Sequence, residues 1–250
     1  MPTYRLLVEY EGTKFSGWQA QASGRTVQGV LLETLRALTG EREVDLQGAG
    51  RTDAGVHALG QVASLRCRQS LDCAKLLRDV EDGEAAPRSF HARHDAEARA
   101  YRYQIATRRS AFGKRVSWWV TDRLDDAAMA DAAAAFVGRH DFCAFARRSR
   151  EAESTVVEVE SFDVAAFAGG VMIRLVASHF LWNQVRRMVG ALVTVGRGES
   201  RPDEVPSWLS GAAPAPPRAA PAAGLFLEAV RYPGGLWRLP PLDPIGLPRR

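Results

Sequence analysis

The stretch YRLLVEY at residues 4–10, read together with TVQGVLLETLRALTG at residues 26–40, sets the fold. In the first, Tyr4, Leu6, Val8 and Tyr10 alternate with Arg5 and Glu9, the period of a strand with one buried face. Glu11-Gly12-Thr13 then breaks the run. In the second, Thr26 is placed to cap a helix whose apolar positions are Val27, Val30, Leu31, Leu35 and Leu38, and Gly40 supplies the stop. A short strand near Val44–Gln47, a glycine-rich turn and a strand over Val62–Cys67 follow. The polar stretch Ser70–Ser89 gives no clear period, and Tyr101–Thr107 reads as a strand.

The scheme recurs further on. Asp125 or Asp126 opens an alanine-rich helix with Met129, Ala132, Phe136 and Val137 inward, ended by Gly138. Strands over Val156–Ala165 and Val171–Ser178 flank Gly169-Gly170, a hairpin signal. Leu181, Val185, Met188, Leu192 and Val195 mark a second helix. Residues 212–223 form an Ala/Pro-rich linker before a last strand, Leu225–Tyr232. Each half reads as a split βαβ unit. The expected architecture is therefore α+β: two ferredoxin-like, RNP-like halves around a central mixed or antiparallel sheet, over residues 1–104 and 105–250. A catalytic cleft is expected between them.

Composition narrows the class. With 250 residues, 46% hydrophobic and 25% charged, the chain is an ordinary folded protein. No run approaches the ~20 apolar residues of a membrane span, and the N-terminus has no basic start or small-residue cleavage site. A cytoplasmic protein with no membrane association is expected. Cys67, Cys73 and Cys143 are not at zinc-ligand spacing, so neither disulfides nor a metal are expected. The net charge of +4 suits a polyanionic partner. Lys14, Lys75 and Lys114 are the lysines; the other cations are arginines, which suit bidentate phosphate contacts, although codons rich in G and C would produce the same excess.

The run GAGRTDAGVHA at residues 48–58 is the chemical centre of the sequence. Three of its first eight residues are glycines, which describe a tight loop whose backbone can approach a ligand. It lacks the Lys-Ser/Thr ending of a P-loop and the context of a dinucleotide fingerprint. Asp53 and His57 are too few ligands for a metal. Spacing alone leaves two readings open, a surface turn with an Arg51–Asp53 pair or a site.

GRTDAGVH at residues 50–57 resembles the signature of the TruA family of tRNA pseudouridine synthases. Four further segments are similar to that family's in the same order: YEGTKFSGWQ at 10–19 with Thr26-Val27-Gln28; FHAR at 90–93 with ARAYRY at 98–103; FLWNQVRRMVG at 180–190; and GLFLEAV at 224–230. The chain departs from the family between Val62 and Phe90, where it is shorter; DVEDGE at 79–84 reads as a replacement loop. The resemblance implies Asp53 as nucleophile in a cofactor-free isomerisation. That reaction breaks the N-glycosidic bond of a uridine, turns the base and rejoins it through carbon 5. It implies Arg186 as the arginine paired with that carboxylate, although periodicity alone puts Arg186 one step off the apolar stripe, on the exposed side. It implies Arg51 as a catalytic residue that occupies the gap left by the extruded base, Tyr101 as the ring that stacks on the target base and assists proton removal, and Leu225 as the apolar residue on its other side.

The substrate so implied is tRNA, at uridines 38, 39 and 40 of the anticodon stem-loop, held by a homodimer. Arg99, Arg102, Arg108, Arg109, Lys114, Arg115, Arg147, Arg148 and Arg150 form the expected phosphate-contacting set, with Arg102, Arg147 and Arg148 expected among the substrate-binding residues. No histidine is given a catalytic role. The competing readings are a synthase acting on another RNA and a non-catalytic RNA-binding protein on the same scaffold. A nucleoside or glycoside hydrolase would need a second carboxylate as acid, and none stands near Asp53 in the sequence.

Overall fold

A computed structural model describes residues 1–69, 71, 82–147, 154–235, 237 and 239–247. The chain forms two compact units: Met1–Glu97 with Phe226–Leu239, and Ala98–Leu225 with Pro240–Arg250. The sequence reading divides the chain after residue 104 and has no returning segment.

In the first unit β1 (Thr3–Tyr10) leads into α1 (Val27–Thr39), followed by β2 (Asp45–Gly48), β3 (His57–Arg66) and β4 (Asp82–Ala86). The strand order β4-β1-β3-β2 is antiparallel throughout and has the split βαβ arrangement. Residues 82–84, expected as part of a replacement loop over 79–84, instead belong to β4, which pairs with β1; residues 70 and 72–81 of the ambiguous segment lie outside the described residues. From β10 (Leu225–Arg231), Phe226 and Leu227 pair in parallel with His57 and Ala58 of β3. That parallel strand makes the sheet mixed.

The α1 boundaries follow from its caps. The Thr26 side chain accepts the Gly29 N–H, and Gly40 closes the helix at φ 68°. Val27, Leu31 and Leu35 pack against Leu6, Leu65 and Trp18. Each such burial contributes about 1.5–3 kcal/mol, so Leu35→Ala would cost about 2–5 kcal/mol.

In the second unit the order is β5 (Ala98–Ala106), β9 (Gly170–Ala177), β8 (Val156–Phe167), β7 (Gly138–Asp141), antiparallel throughout, with β6 (Trp118–Trp119) parallel to the end of β5. Helices α2 (Asp126–Ala134) and α3 (Gln184–Gly196) pack together. Gly196 makes this possible, because a Cβ there would lie 2.6 Å from Met129 Sδ. Helix α2 stops earlier than its pattern suggests. Phe136 is buried, but Val137 is exposed, and Gly138 at φ 109° opens a strand instead of ending a helix. Among the described residues no helix is long and apolar enough to cross a membrane.

Every residue of β5 is buried, including Arg99, Arg102 and Gln104. Their polar ends are satisfied by backbone carbonyls. Arg99 Nη1 donates to Ser178 O at 2.9 Å, and Arg102 donates to Asp243 O and Pro241 O at 3.1 and 3.3 Å. Gln104 Nε2 donates to Val116 O, while its Oε1 accepts from Ile245 N. These bonds fasten the segment after Pro240 to β5.

The Ala/Pro-rich stretch is not a free linker either. Gly190 lets it press onto α3, since a Cβ there would overlap the Arg218 carbonyl oxygen. Ala220 is fully buried and its N–H donates to Arg186 O at 2.8 Å.

Candidate active site

The loop carrying Asp53 is fixed by its backbone. Ala49 N donates to Val62 O at 2.7 Å. The buried Gln61 amide closes a reciprocal pair with Gly50: Nε2 donates to Gly50 O at 2.8 Å and Oε1 accepts from Gly50 N at 3.3 Å. Thr52 points inward, its hydroxyl 2.8 Å from Tyr10 Oη, and its carbonyl accepts the Trp18 N–H at 3.0 Å. Asp53 O then accepts from Val56 N at 3.1 Å, with Gly55 at φ 79°. A positive φ at the third position of such a turn calls for glycine, which the Asp-Ala-Gly-Val order supplies.

A second loop clamps the first from outside. Gly17, at φ 92°, lies so close that a Cβ there would be 2.7 Å from Thr52 O, and a Cβ on Gly12 would overlap the Val56 carbonyl oxygen. Gly12 N donates to His57 Nδ1 at 3.0 Å. The acceptor in this bond is an unprotonated Nδ1. The buried His57 ring stacks on Phe226 with centroids 4.6 Å apart. Burial pushes the Tyr10 phenol up to about 12, against the opposing effect of its Thr52 and Gln61 bonds, so its hydroxyl keeps its proton at neutral pH. The outcome is a rigid presentation: Thr52 buried, Arg51 exposed and Asp53 half-buried.

The other expected residues lie in the second unit. Tyr101 is buried on β5, edge-on to Phe180 with centroids 5.0 Å apart. Tyr103, on the same strand face, is a core residue: it is 1% exposed, and its hydroxyl donates to Pro221 O at 2.8 Å. Burial pushes that phenol well above its ordinary value, partly opposed by Arg186. Leu225 is buried at the start of β10.

Arg186 is half-buried on α3 and held by two acceptors. Its Nε donates to Ala220 O at 2.7 Å and its Nη1 to Asn183 Oδ1 at 3.0 Å. Asn183 precedes the helix at φ 64° and is the sole non-glycine residue with positive φ among the described residues. Leu181, expected as the first helical residue, lies before this cap, where its N–H donates to Gln184 Oε1.

The expected phosphate-contacting arginines divide. Arg99 and Arg102 are enclosed and hold backbone carbonyls, so they offer no free face to a phosphate. Arg108, Arg109, Lys114 and Arg115 are exposed. Arg147 is exposed and lies over the Trp182 ring at 4.7 Å. Arg148 and Arg150 lie outside the described residues. Among the described residues no group of His, Cys, Asp or Glu could hold a metal ion.

The braces went unread in the sequence. Gln61 and Ala220 carry no local signal, and Tyr10 shows only as one of the alternating residues of the first strand. Asn183 carries one, since asparagine is favoured at helix starts and tolerates the left-handed region.

Comparison with known proteins agrees with the motif order. A family model described as tRNA pseudouridine synthase matches residues 6–105 and 132–233. The tRNA pseudouridine synthase A of Sinorhizobium fredii is 40% identical over 248 residues, covering 93% of this chain and 100% of that protein. Its counterpart in Paramagnetospirillum magneticum is 41% identical over 251 residues, 93% of this chain and 96% of that one. That of Syntrophotalea carbinolica is 42% identical over 245 residues, 93% and 97%. With a family model spanning most of its length and full-length relatives near 40% identity, the chain belongs to the tRNA pseudouridine synthase family.

Proposed function

We propose that the protein isomerises uridine to pseudouridine at positions 38, 39 and 40 of the tRNA anticodon stem-loop, with Asp53 as nucleophile. Family membership supports the reaction class and the tRNA substrate. The observation that carries the residue assignment is the half-buried Asp53 at the head of a loop braced by Gln61, Tyr10 and the Gly12–Gly17 segment. A nucleophile gains from such fixing because little ordering remains to be done when the uridine arrives.

In this reading the base is drawn out of the stem and its N1–C1′ bond is broken. The base turns, carbon 5 bonds to C1′, and the carbon 5 proton is lost while N1 gains one. The reaction is redox-neutral and uses no cofactor. Tyr101 stacks on the base and Leu225 packs on its other side. Arg51 enters the space the base vacates, and Arg186 keeps the Asp53 carboxylate charged. Extraction of a base from a stem costs a few kcal/mol, recovered through stacking and phosphate contacts that include Arg147. The resemblance to the family supports a homodimer in the cytoplasm.

The test is single-turnover isomerisation of a transcript tRNA bearing uridines at all three positions, with wild type and Asp53→Ala side by side. Product from wild type alone is the expected result. A folded wild type that binds tRNA and yields no pseudouridine would refute the substrate assignment.

A further inference from the structure

The end of β5 turns into a basic loop. Between Thr107 and Trp119 it holds Arg108, Arg109, Lys114 and Arg115 and no acidic residue. All four cations are exposed. Phe112 at the loop tip is 87% exposed, the highest exposure among the large hydrophobic side chains described, and Trp119 at its end is 47% exposed with Arg109 stacked on it at 5.4 Å.

This exposure is not the by-product of a loose segment. Gly113 N donates to Ser110 Oγ at 3.1 Å, Ser117 Oγ donates to Gly113 O at 2.8 Å, and Val116 N to the same carbonyl at 3.0 Å. Gly113 is buried against Leu247, where a Cβ would collide with the Leu247 side chain. Both ends are tied: Thr107 N donates to Gly169 O, and Val120 N to Ala106 O. The loop is a preformed support that holds an aromatic ring in water among cations. A loop backbone that is already ordered loses little freedom on binding, so it is well suited to contact.

We propose that this loop is a second RNA-contacting surface of the protein, in which Phe112 stacks on an unpaired base of the tRNA while Arg108, Arg109, Lys114 and Arg115 contact the flanking phosphates. Cations interleaved with exposed aromatic rings are the physical signature of single-stranded RNA binding. The loop follows Tyr101 by about 20 Å of extended strand, at roughly 3.3 Å per residue, so it meets a part of the RNA other than the reacting nucleotide. The charge also decides between occupants. A second copy docking by two-fold symmetry would bring the same cations face to face, which is unfavourable; a polyanion neutralises them.

The inference rests on the tRNA-modifying reading, and its test separates the two. Affinity for a tRNA transcript is measured across a salt series, together with the single-turnover rate at saturating tRNA, for wild type, Phe112→Ala and the double variant Arg109→Ala/Lys114→Ala. Phe112→Ala is expected to weaken binding by about five- to a hundredfold with the salt slope and the saturated rate unchanged. The charge variant is expected to lower the slope by roughly 0.7–0.9 per lost phosphate contact. Variants that bind like wild type overturn the proposal. So does sedimentation showing that Phe112→Ala dissociates a dimer without altering tRNA affinity, because the face then belongs to a second copy. A wild type that binds tRNA but forms no pseudouridine refutes the reaction and not the loop's part in affinity.

Discussion

Asn183 Oδ1 accepts a hydrogen bond from Arg186 Nη1 at 3.0 Å, and it does so from a left-handed backbone at φ 64°. The Ala220 carbonyl holds the Nε of the same guanidinium at 2.7 Å. One acceptor thus comes from the turn that starts α3 and the other from the strap that Gly190 admits. An arginine tied at two nitrogens keeps its fork in one orientation, with less rotamer freedom to lose. The left-handed conformation would cost a residue with a Cβ about 1–2 kcal/mol, less for asparagine.

Backbone and side chain at Asn183 can be separated. Asn183→Gly keeps the left-handed turn and removes the Oδ1 acceptor. It is expected to fold with near-normal stability and to lose about tenfold in kcat with KM unchanged, the equivalent of one hydrogen bond of about 1.4 kcal/mol. Asn183→Asp retains the acceptor and should restore the rate. Asn183→Ala loses both features and should also lower the unfolding free energy by about 1–2 kcal/mol. A normal kcat in the glycine variant would reduce Asn183 to a helix cap.

Asp53 provides the second prediction. Its carbonyl holds the turn through Val56 N, so the backbone bond survives substitution of the side chain. Asp53→Asn should therefore fold and bind tRNA close to wild type while turnover falls by more than about a thousandfold, as expected when a nucleophile is lost. Arg186→Ala should also slow turnover strongly. If the two residues act as one unit, the Asp53→Asn/Arg186→Ala double variant will be no slower than Asp53→Asn alone. Multiplied losses in the double variant would separate their roles.

The first strand, the capped helix and the β8–β9 hairpin were legible because each has a period and a punctuating residue: Thr26 and Gly40 for α1, Gly169-Gly170 for the hairpin. Strand β5 was seen only in part. Its alternation is hidden because Arg99, Arg102 and Gln104 are buried along with the apolar residues, each with a carbonyl from a distant segment. The same distance effect turned a composition-based linker at 212–223 into a strap, through the glycine at 190. Candidate residues came from motif resemblance; their supports, Gln61 and Asn183 above all, depend on partners that only the folded chain brings near.

The Asp53 loop should be intolerant of changes that touch nothing chemical. A Cβ on Gly12 would overlap the Val56 carbonyl oxygen, and such overpacking costs about 1–3 kcal/mol. Gln61→Ala leaves the Gly50 N–H and C=O without their amide partner, a loss of about 1–3 kcal/mol where burial excludes water. Gly12→Ala and Gln61→Ala are both expected to lower the denaturation midpoint, measured by urea titration, and to reduce kcat even at temperatures where they are fully folded. Full activity in folded Gln61→Ala would mean that the clamp is a matter of stability alone.

Tyr10 gives the fold an alkaline limit. Burial pushes its phenol up to about 12, against an ordinary value near 10 in an unfolded chain. The folded state therefore holds a proton that the unfolded state gives up between about pH 10 and 12. The contribution to stability is fully present below pH 10 and is lost as pH rises through that window. Tyr103, also shifted upward by burial, acts with the same sign. Tyr10→Phe removes its own titration together with the Thr52 bond. Its unfolding free energy should be lower than wild type at pH 8 and should fall less steeply above pH 10, with Tyr103 contributing to the slope that remains. Denaturant titrations at half-unit steps from pH 8 to 12 would measure both. Equal slopes for the two proteins would mean that the Tyr10 phenol is not protected in the folded state, and the brace on Thr52 would then be open to solvent.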